Sequence, residues 1–240
     1  MINPVTELRA FLTASLVSPV PRDHQESDRA FRRRRVVAAV TLVCGAVVLG
    51  WTLRITPGDD VFYVAGFLLA AIWVVGSFAS GPLHLGRAHT RSGGVARPLV
   101  QSLALAALII GLFVVGAVVA AQIPPVLHQI DDVLDHARYG SLATIFAITV
   151  VNGIAEELYF RGALYAAIGR RYPVLISTAV YALATVGTAN VMLVLAAVLL
   201  GALTGLQRRV TGGILGPTIT HVAWSTAMLF ILPPLLEVLS

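Results

Sequence analysis

The stretch Asn152–Leu164 reads NGIAEELYFRGAL and places Glu156, Glu157 and Arg161 among small and apolar residues. Glu157 and Arg161 stand four residues apart, in the order that favours an ion pair on one face of an α-helix. In a soluble protein these charges would be ordinary helix surface. The rest of the chain indicates instead that the stretch lies in a membrane, where such charges are expensive.

Composition is the first reason. The 240 residues are 57% hydrophobic and 12% charged, which is more apolar surface than one soluble core needs. There is no lysine, so the formal charge of +5 comes from arginine, and no aromatic-interleaved basic face suggests a nucleic-acid partner. Cys44 is the single cysteine, which excludes an internal disulfide framework and a cysteine-based metal site. The sequence therefore predicts a membrane protein that does not bind nucleic acid.

Apolar runs define the expected fold. A helix needs about 20 residues to cross a hydrocarbon core about 30 Å thick. The seven candidate spans are Val36–Leu53, Val61–Ser80, Pro98–Ile123, Ser141–Phe160, Val174–Thr188, Asn190–Leu206 and Ile214–Leu236. The fifth and sixth are short and are joined by a tight GTAN turn. These runs predict an all-α membrane protein with about seven transmembrane helices in one bundle, a multi-pass protein of the cell membrane.

The arginines predict the orientation. If the chain crosses at every span, all of them except Arg54 and Arg138 fall on one side. The positive-inside rule makes that side cytoplasmic, so we expect a cytoplasmic N-terminus and an external C-terminus. The RRRR run at Arg32–Arg35 fits a topology signal before the first span. The preceding PVTELRAFLTASLV has the pattern of an amphipathic surface helix, although an unstructured tail fits equally well.

The polar connection Pro124–Gly140 separates spans without ionisable residues from spans that carry them. We therefore expect three parts. These are a cytoplasmic N-terminal segment (residues 1–35), three transmembrane helices without motifs (36–123) and a motif-bearing domain (141–236).

Depth links two of the ionisable residues. With a rise of 1.5 Å per residue, Glu156 and His221 would lie about 8 Å and about 10 Å from the cytoplasmic face. Glu156 and Glu157 diverge by about 100° around a helix, so we expect Glu157 to pair with Arg161 and Glu156 to remain a candidate general base. The alternatives are that the trio only joins helices through an ion pair, and that His221 is a hydrogen-bonded core residue.

Three motifs resemble one family. EELYFRG at Glu156–Gly162, LLGALTGL at 199–206 and GGILGPTITHVAWS ending at Ser225 are similar to motifs of the CAAX-protease and bacteriocin-processing (CPBP) intramembrane proteases. The resemblance covers residues 141–236. It implies an intramembrane endopeptidase in which the first glutamate and a histidine of the next motif helix activate water, while a histidine and an asparagine of the last motif stabilise the oxyanion. Glu156 and His221 match two of these positions.

Two positions depart from that pattern. YALAT has the aromatic Tyr181 but Thr185 in place of the histidine, and HVAWS has Ser225 in place of the asparagine. Threonine cannot accept a proton near neutral pH, so Glu156 would activate water alone, at a loss of about a hundredfold. A serine hydroxyl can still donate to an oxyanion, which makes Ser225 the milder change.

Three functional hypotheses follow. The first is an endopeptidase that cuts a membrane-associated protein or peptide near the cytoplasmic face of the bilayer. The second is a catalytically weakened relative that binds such a partner without cutting it. The third is a small ion- or proton-coupled transporter, although transporters often show two matching halves. Glu156 and His221 supply two of the three protein ligands that a catalytic zinc needs, so no metal or other cofactor is predicted.

Overall fold

The computed structural model describes residues 3–22, 24–91 and 93–239. Met1, Ile2 and Asp23 of the predicted N-terminal segment lie outside the described residues. The described helices are α1 (Pro4–Leu12), α2 (Asp28–Thr52), α3 (Val61–Ser80), α4 (Leu99–Ala120), α5 (Pro124–Tyr139), α6 (Leu142–Glu156), a π-helix (Glu157–Leu164), α7 (Tyr165–Ile168), α8 (Pro173–Val186), α9 (Val191–Thr211) and α10 (Leu215–Leu239). A short π-helical turn, Thr13–Val17, follows α1, and strands β1 (Ala88–His89) and β2 (Val95–Ala96) pair antiparallel.

The bundle contains the predicted spans. Within the described residues, six helical stretches are long and apolar enough to cross a membrane: α2, α3, α4, the continuous run Leu142–Ile168, α9 and α10. The seventh, α8, is apolar but only 14 residues long. The prediction of an all-α membrane bundle with about seven spans is confirmed. The cytoplasmic placement of the N-terminus stays a prediction.

The connection between the third and fourth spans is itself a helix. Proline at its first turn suits the start of α5, because the missing N–H would have no helical partner there. Leu134 and His136 are buried, and the His136 ring nitrogen Nε2 lies 3.1 Å from the carbonyl oxygen of Ile55. On the other face, Arg138 forms ion pairs with Asp131 and Asp135. The predicted polar connection is therefore an amphipathic helix packed across one end of the bundle.

The N-terminal segment is helical at its start, which decides between the two alternatives left by the sequence. The Asn3 side chain accepts a hydrogen bond from the N–H of Val5 and caps α1. Further on, the chain is extended and contacts the C-terminal end of α9. The N–H of Val20 donates to the carbonyl of Val210 (2.9 Å), and Arg22 Nη1 donates to the carbonyl of Arg209 (2.5 Å).

An aromatic core positions the π-helix against the first two spans. Trp73 of α3 is fully buried and stacks on Tyr159 with 4.5 Å between ring centroids. The Tyr159 hydroxyl donates to the carbonyl of Ala38 in α2 (2.6 Å), which gives this buried phenol a partner. Gly45 provides the space for the Trp73 ring, because a Cβ at position 45 would lie 2.1 Å from that ring. The motif-free helices thus support the segment that carries the charged motif.

Candidate active site

The charged motif lies at a change of helix type. The α-helix α6 ends at Glu156, and the chain continues as a π-helix from Glu157 to Leu164, in which every residue except Leu158 is buried. Such π-helical turns are rare in proteins, and those that occur often lie at functional sites. The chain returns to α-helical geometry in α7, whose last residue, Ile168, is followed by Gly169 with a φ of 84°. A helical periodicity of 3.6 residues gave no indication of this change.

Glu156 faces α8. The hydroxyl of Tyr181 donates to Glu156 Oε2 at 2.5 Å, a short distance typical of a hydroxyl bound to a carboxylate. Glu156 is half-buried, whereas Tyr181 is buried. The bond fixes one carboxylate oxygen of Glu156.

Glu157 faces α10 and is fully buried. Its Oε1 lies 3.1 Å from Arg161 Nη1 and 2.8 Å from His221 Nδ1. The ion pair that the four-residue spacing predicts is therefore present. The depth argument associated His221 with Glu156, but the hydrogen bond of His221 goes to Glu157. Glu157, Arg161 and His221 are called the charged cluster below.

Several polar atoms of the charged cluster form no hydrogen bond within the described part of the chain. They are Glu157 Oε2 and the three guanidinium nitrogens of Arg161, whose contact with Glu157 is an ion pair without hydrogen-bond geometry. The Arg161 guanidinium also lies over the Tyr181 ring, 4.9 Å from its centroid. Leaving buried charged groups with unused hydrogen-bonding capacity is costly. This cluster therefore keeps hydrogen-bonding capacity that the described side chains do not use.

The two residues that depart from the family pattern flank the site without bonding to it. Thr185 is buried, and its hydroxyl donates to the carbonyl of Tyr181 in its own helix (2.9 Å). The Ser225 hydroxyl donates to the carbonyl of Val222, also within its helix (3.3 Å). A Cβ on Gly153 would lie 3.6 Å from Ser225 Oγ and 3.8 Å from His221 Cδ2. Ser225 therefore lies beside His221 on the face of α10 that packs against α6.

Two further polar residues lie near the site, of which one contacts a site residue. Sequence reasoning placed Tyr181 in a motif but did not identify its bond to Glu156, although a buried phenol hydroxyl usually needs a partner. Asn152 lies one turn before Glu156; its Nδ2 donates to the carbonyls of Gly66 and Ile148 at 3.0 Å each, and its buried Oδ1 has no hydrogen-bond partner in the described residues. An asparagine within a transmembrane run was the available signal.

Within the described ranges, no group of three or more His, Cys, Asp or Glu side chains is arranged to hold a metal ion. Glu156 bonds to α8, while Glu157 bonds to α10. The arrangement offers one carboxylate oriented by a phenol, and one histidine oriented by a carboxylate that an arginine also contacts.

The fold and the site define a multi-pass membrane protein with a buried glutamate, arginine and histidine cluster. Residues 138–227 match a family model described as "Type II CAAX prenyl endopeptidase Rce1-like". This match agrees with the CAAX-protease resemblance that the motifs indicated, and it includes every candidate site residue. The comparisons with curated proteins and with solved structures found no match.

Proposed function

We propose that this chain is an intramembrane endopeptidase that cuts a peptide bond of a membrane-associated protein or peptide. One observation carries the proposal. Inside the Rce1-like domain, two glutamates from one helical run meet a tyrosine of α8 and a histidine of α10. Because the matched family is described as a prenyl endopeptidase, a prenylated peptide is the first substrate to test.

Glu156 is the proposed general base. Because the Tyr181 hydroxyl occupies Oε2, the other oxygen of the carboxylate is available to a water molecule. Glu156 takes a proton from this water as the water oxygen attacks the scissile carbonyl carbon. Glu156 then returns the proton to the leaving amine when the carbon–nitrogen bond breaks. Atoms and charges balance without another reactant.

His221 is the proposed oxyanion donor. Its Nδ1–H donates to Glu157 Oε1, which fixes the ring and leaves Nε2 on the opposite side. As an imidazolium, His221 can donate from Nε2 to the developing oxyanion. The two carboxylates of Glu156 and Glu157 then balance the charges of Arg161 and His221. A neutral site is the least costly arrangement in a medium of low dielectric constant.

Thr185 and Ser225, which differ from the family pattern, determine the cleavage rate that we expect. Thr185 offers no proton acceptor, so water activation depends on Glu156, at a cost of about a hundredfold. The Ser225 hydroxyl can rotate from the carbonyl of Val222 towards an oxyanion beside His221.

The alternative is a weakened relative that binds a membrane partner without cutting it, and the absence of a proton acceptor at Thr185 favours it. The Rce1-like match favours both hypotheses over the transporter.

The chain is a multi-pass integral membrane protein. We propose the cell membrane as its location, with the site near the cytoplasmic face because of the arginine asymmetry.

Cleavage by the purified chain in liposomes tests the proposal. Two peptides of one sequence, with and without a prenyl group, are incubated with wild type, Glu156→Gln and Glu237→Gln, and the products are identified by mass spectrometry. We expect wild type and Glu237→Gln, a change at an exposed carboxylate, to cut at equal rates. Glu156→Gln should lower kcat at least about a hundredfold at an unchanged unfolding temperature. Equal rates in all three proteins would reject Glu156 as the general base, and tight binding without any product would reject the endopeptidase.

A further inference from the structure

A second site lies at the same arginine-rich end, between the first turn of α8 and the C-terminal half of α9. The pocket there has a volume of about 550 Å³, and Arg170 and Arg209 line it. Both arginines are exposed. Neither guanidinium has an ion pair or hydrogen bond within the part of the chain that the structure describes. Among the described residues, the pocket therefore presents two positive charges without an acidic partner.

The inner end of this pocket carries an unused hydroxyl. Thr178 lines the pocket, its side chain is 9% exposed, and its Oγ1 has no hydrogen-bond partner among the described residues. Most threonines within a helix satisfy this hydroxyl with a carbonyl one turn earlier, as Thr185 does. A buried hydroxyl without a hydrogen-bond partner is costly, so a ligand oxygen that accepts a hydrogen bond from it would remove this cost.

The remaining lining is apolar and continues onto the outside of the bundle. Val174, Leu175 and Ala202 contribute to the pocket wall. Leu175 is 68% exposed and Leu183, two turns further along α8, is 69% exposed. The pocket thus opens onto a surface that acyl chains would cover in a bilayer. A free phosphate ion would leave this apolar surface uncovered, whereas a lipid would occupy both parts.

We propose that this pocket binds the phosphate headgroup of an anionic phospholipid. Arg170 and Arg209 would pair with the phosphate oxygens, since guanidinium groups match this geometry in two-point hydrogen bonds. Thr178 would donate its hydroxyl to the same group. Basic pockets between transmembrane helices on the cytoplasmic side are where such headgroups bind. The site shares no residue with the charged cluster and does not depend on the proposed enzymatic activity.

The bound lipid would also stabilise the packing around Arg161. A Cβ on Gly201 would lie 3.2 Å from Thr178 Cγ2 and 3.3 Å from Arg161 Nη2, so both side chains pack against this glycine. The inner end of the pocket and the charged cluster therefore share a packing contact at Gly201. Headgroup binding would fix α8 against α9 at this layer.

Lipid titration of the full chain in detergent tests the proposal. Phosphatidylglycerol, phosphatidylcholine and inorganic phosphate are added separately, and bound lipid is counted by native mass spectrometry alongside the unfolding temperature. The variant is Arg170→Gln with Arg209→Gln. The matched control is Arg32→Gln with Arg33→Gln, which removes the same charge from exposed positions of α2. Thr178→Val removes the hydroxyl at constant charge and shape.

We expect wild type to retain phosphatidylglycerol in preference to phosphatidylcholine. The pocket variant should weaken that affinity roughly tenfold to thirtyfold, since each arginine near an anionic headgroup contributes about fivefold. The control should change it less than about twofold, and Thr178→Val should weaken it about threefold. Equal losses in variant and control, equal retention of both lipids, or phosphate that protects as well as the lipid would overturn the proposal. If the double variant does not fold, Arg209→Gln and Thr178→Val give the same comparison.

Discussion

Thr220 and His221 are neighbours on α10, yet they enter two buried polar clusters of opposite character. Thr220 joins Ser102 of α4 and Gln207 of α9, which together form the neutral cluster. Gln207 Nε2 donates to Ser102 Oγ at 2.9 Å, and Thr220 Oγ1 lies 3.0 Å from Gln207 Oε1 and 3.1 Å from the carbonyl oxygen of Ser102. Every side-chain oxygen and nitrogen of this cluster has a partner.

The charged cluster, one residue further along α10, leaves Glu157 Oε2 and the guanidinium nitrogens of Arg161 without hydrogen bonds in the described residues. Both clusters are buried, so they differ in whether their polar atoms form hydrogen bonds and not in their exposure to solvent. A satisfied network joins helices and specifies their packing, whereas unused capacity at a buried charge needs an explanation such as a bound water, an ion or a catalytic role. The neutral cluster accordingly connects the motif-free α4 to the Rce1-like domain, and the charged cluster is the candidate site.

The largest effect on stability should come from breaking the charged cluster. Arg161→Met removes the guanidinium that pairs with the buried Glu157 carboxylate and leaves His221 as its contact, so we expect a loss of about 3 to 5 kcal/mol in the free energy of unfolding. Arg171→Met, at an exposed position of the same end, should change it by less than about 0.5 kcal/mol. Unfolding temperature and folded yield in detergent measure both.

Exchanging the two charges tests whether Glu157 and Arg161 interact directly. Glu157→Arg combined with Arg161→Glu should recover part of the folded yield that each single change loses. Recovery should be incomplete, because the new arginine at position 157 would lie against His221. A double variant no better than either single variant would show that the pair contributes no direct interaction.

A smaller effect should come from the neutral cluster. Gln207→Leu leaves the hydroxyls of Ser102 and Thr220 without one partner each, which should cost about 1 to 3 kcal/mol. The cleavage rate per folded molecule should be unchanged, since this cluster has no proposed role in the reaction. Gln122→Leu, at an exposed position, is the control for the substitution itself. A rate loss in Gln207→Leu at normal folded yield would remove the distinction between the clusters.

The smallest effect concerns an ion pair at the arginine-rich end. Arg34 is 1% exposed and its Nε lies 3.0 Å from both oxygens of Glu26. The hydrogen bond from Arg34 lowers the pKa of the Glu26 carboxyl from its ordinary value of 4.5. The pair therefore stabilises the fold above that pH, and its contribution is lost as the pH falls through the lowered pKa.

Glu26→Gln should accordingly cost about 1 kcal/mol at pH 7 and progressively less in acid. Glu7→Gln is the control, because its pair with Arg91 is largely exposed and should contribute little at any pH. Unfolding temperatures measured from pH 7 down to pH 3 give both curves. Parallel curves for the two variants would contradict a specific role for the buried pair.

Much of this arrangement could be predicted from the sequence. Apolar run length fixed the spans, and the four-residue spacing indicated the contact between Glu157 and Arg161. Helical rise brought His221 to the depth of the glutamates but could not decide which one it contacts, because depth carries no information about rotation around a helix. The π-helix adds to that uncertainty, since it changes the angle between successive side chains.

Other features needed the tertiary structure. The bond between Tyr181 and Glu156 depends on how α8 packs against the π-helix. Gly201 of α9 allows this packing, because a Cβ there would lie 3.3 Å from Tyr181 Cδ1. The helix α5 had an apolar periodicity in the sequence, but its polar residues led to its interpretation as a connection. Partners such as Ser102 and Gln207 are separated by 105 positions along the chain, and no local pattern relates them.

We propose that Glu156 activates water with little assistance, because Thr185 stands where the CAAX-protease pattern has a histidine. A peptide substrate captured on the Glu156→Gln form provides the assay, in liposomes, for wild type, Thr185→His, and Thr185→His with Glu156→Gln. Position 185 lies one turn from Tyr181, whose hydroxyl contacts Glu156. A proton acceptor there should raise turnover at least about tenfold, which is about 1.4 kcal/mol of transition-state stabilisation. We expect this gain to disappear in the double variant. If wild type, Thr185→His, and Thr185→His with Ser225→Asn all bind the peptide and leave it uncut, the chain is a binding protein and the endopeptidase proposal is wrong.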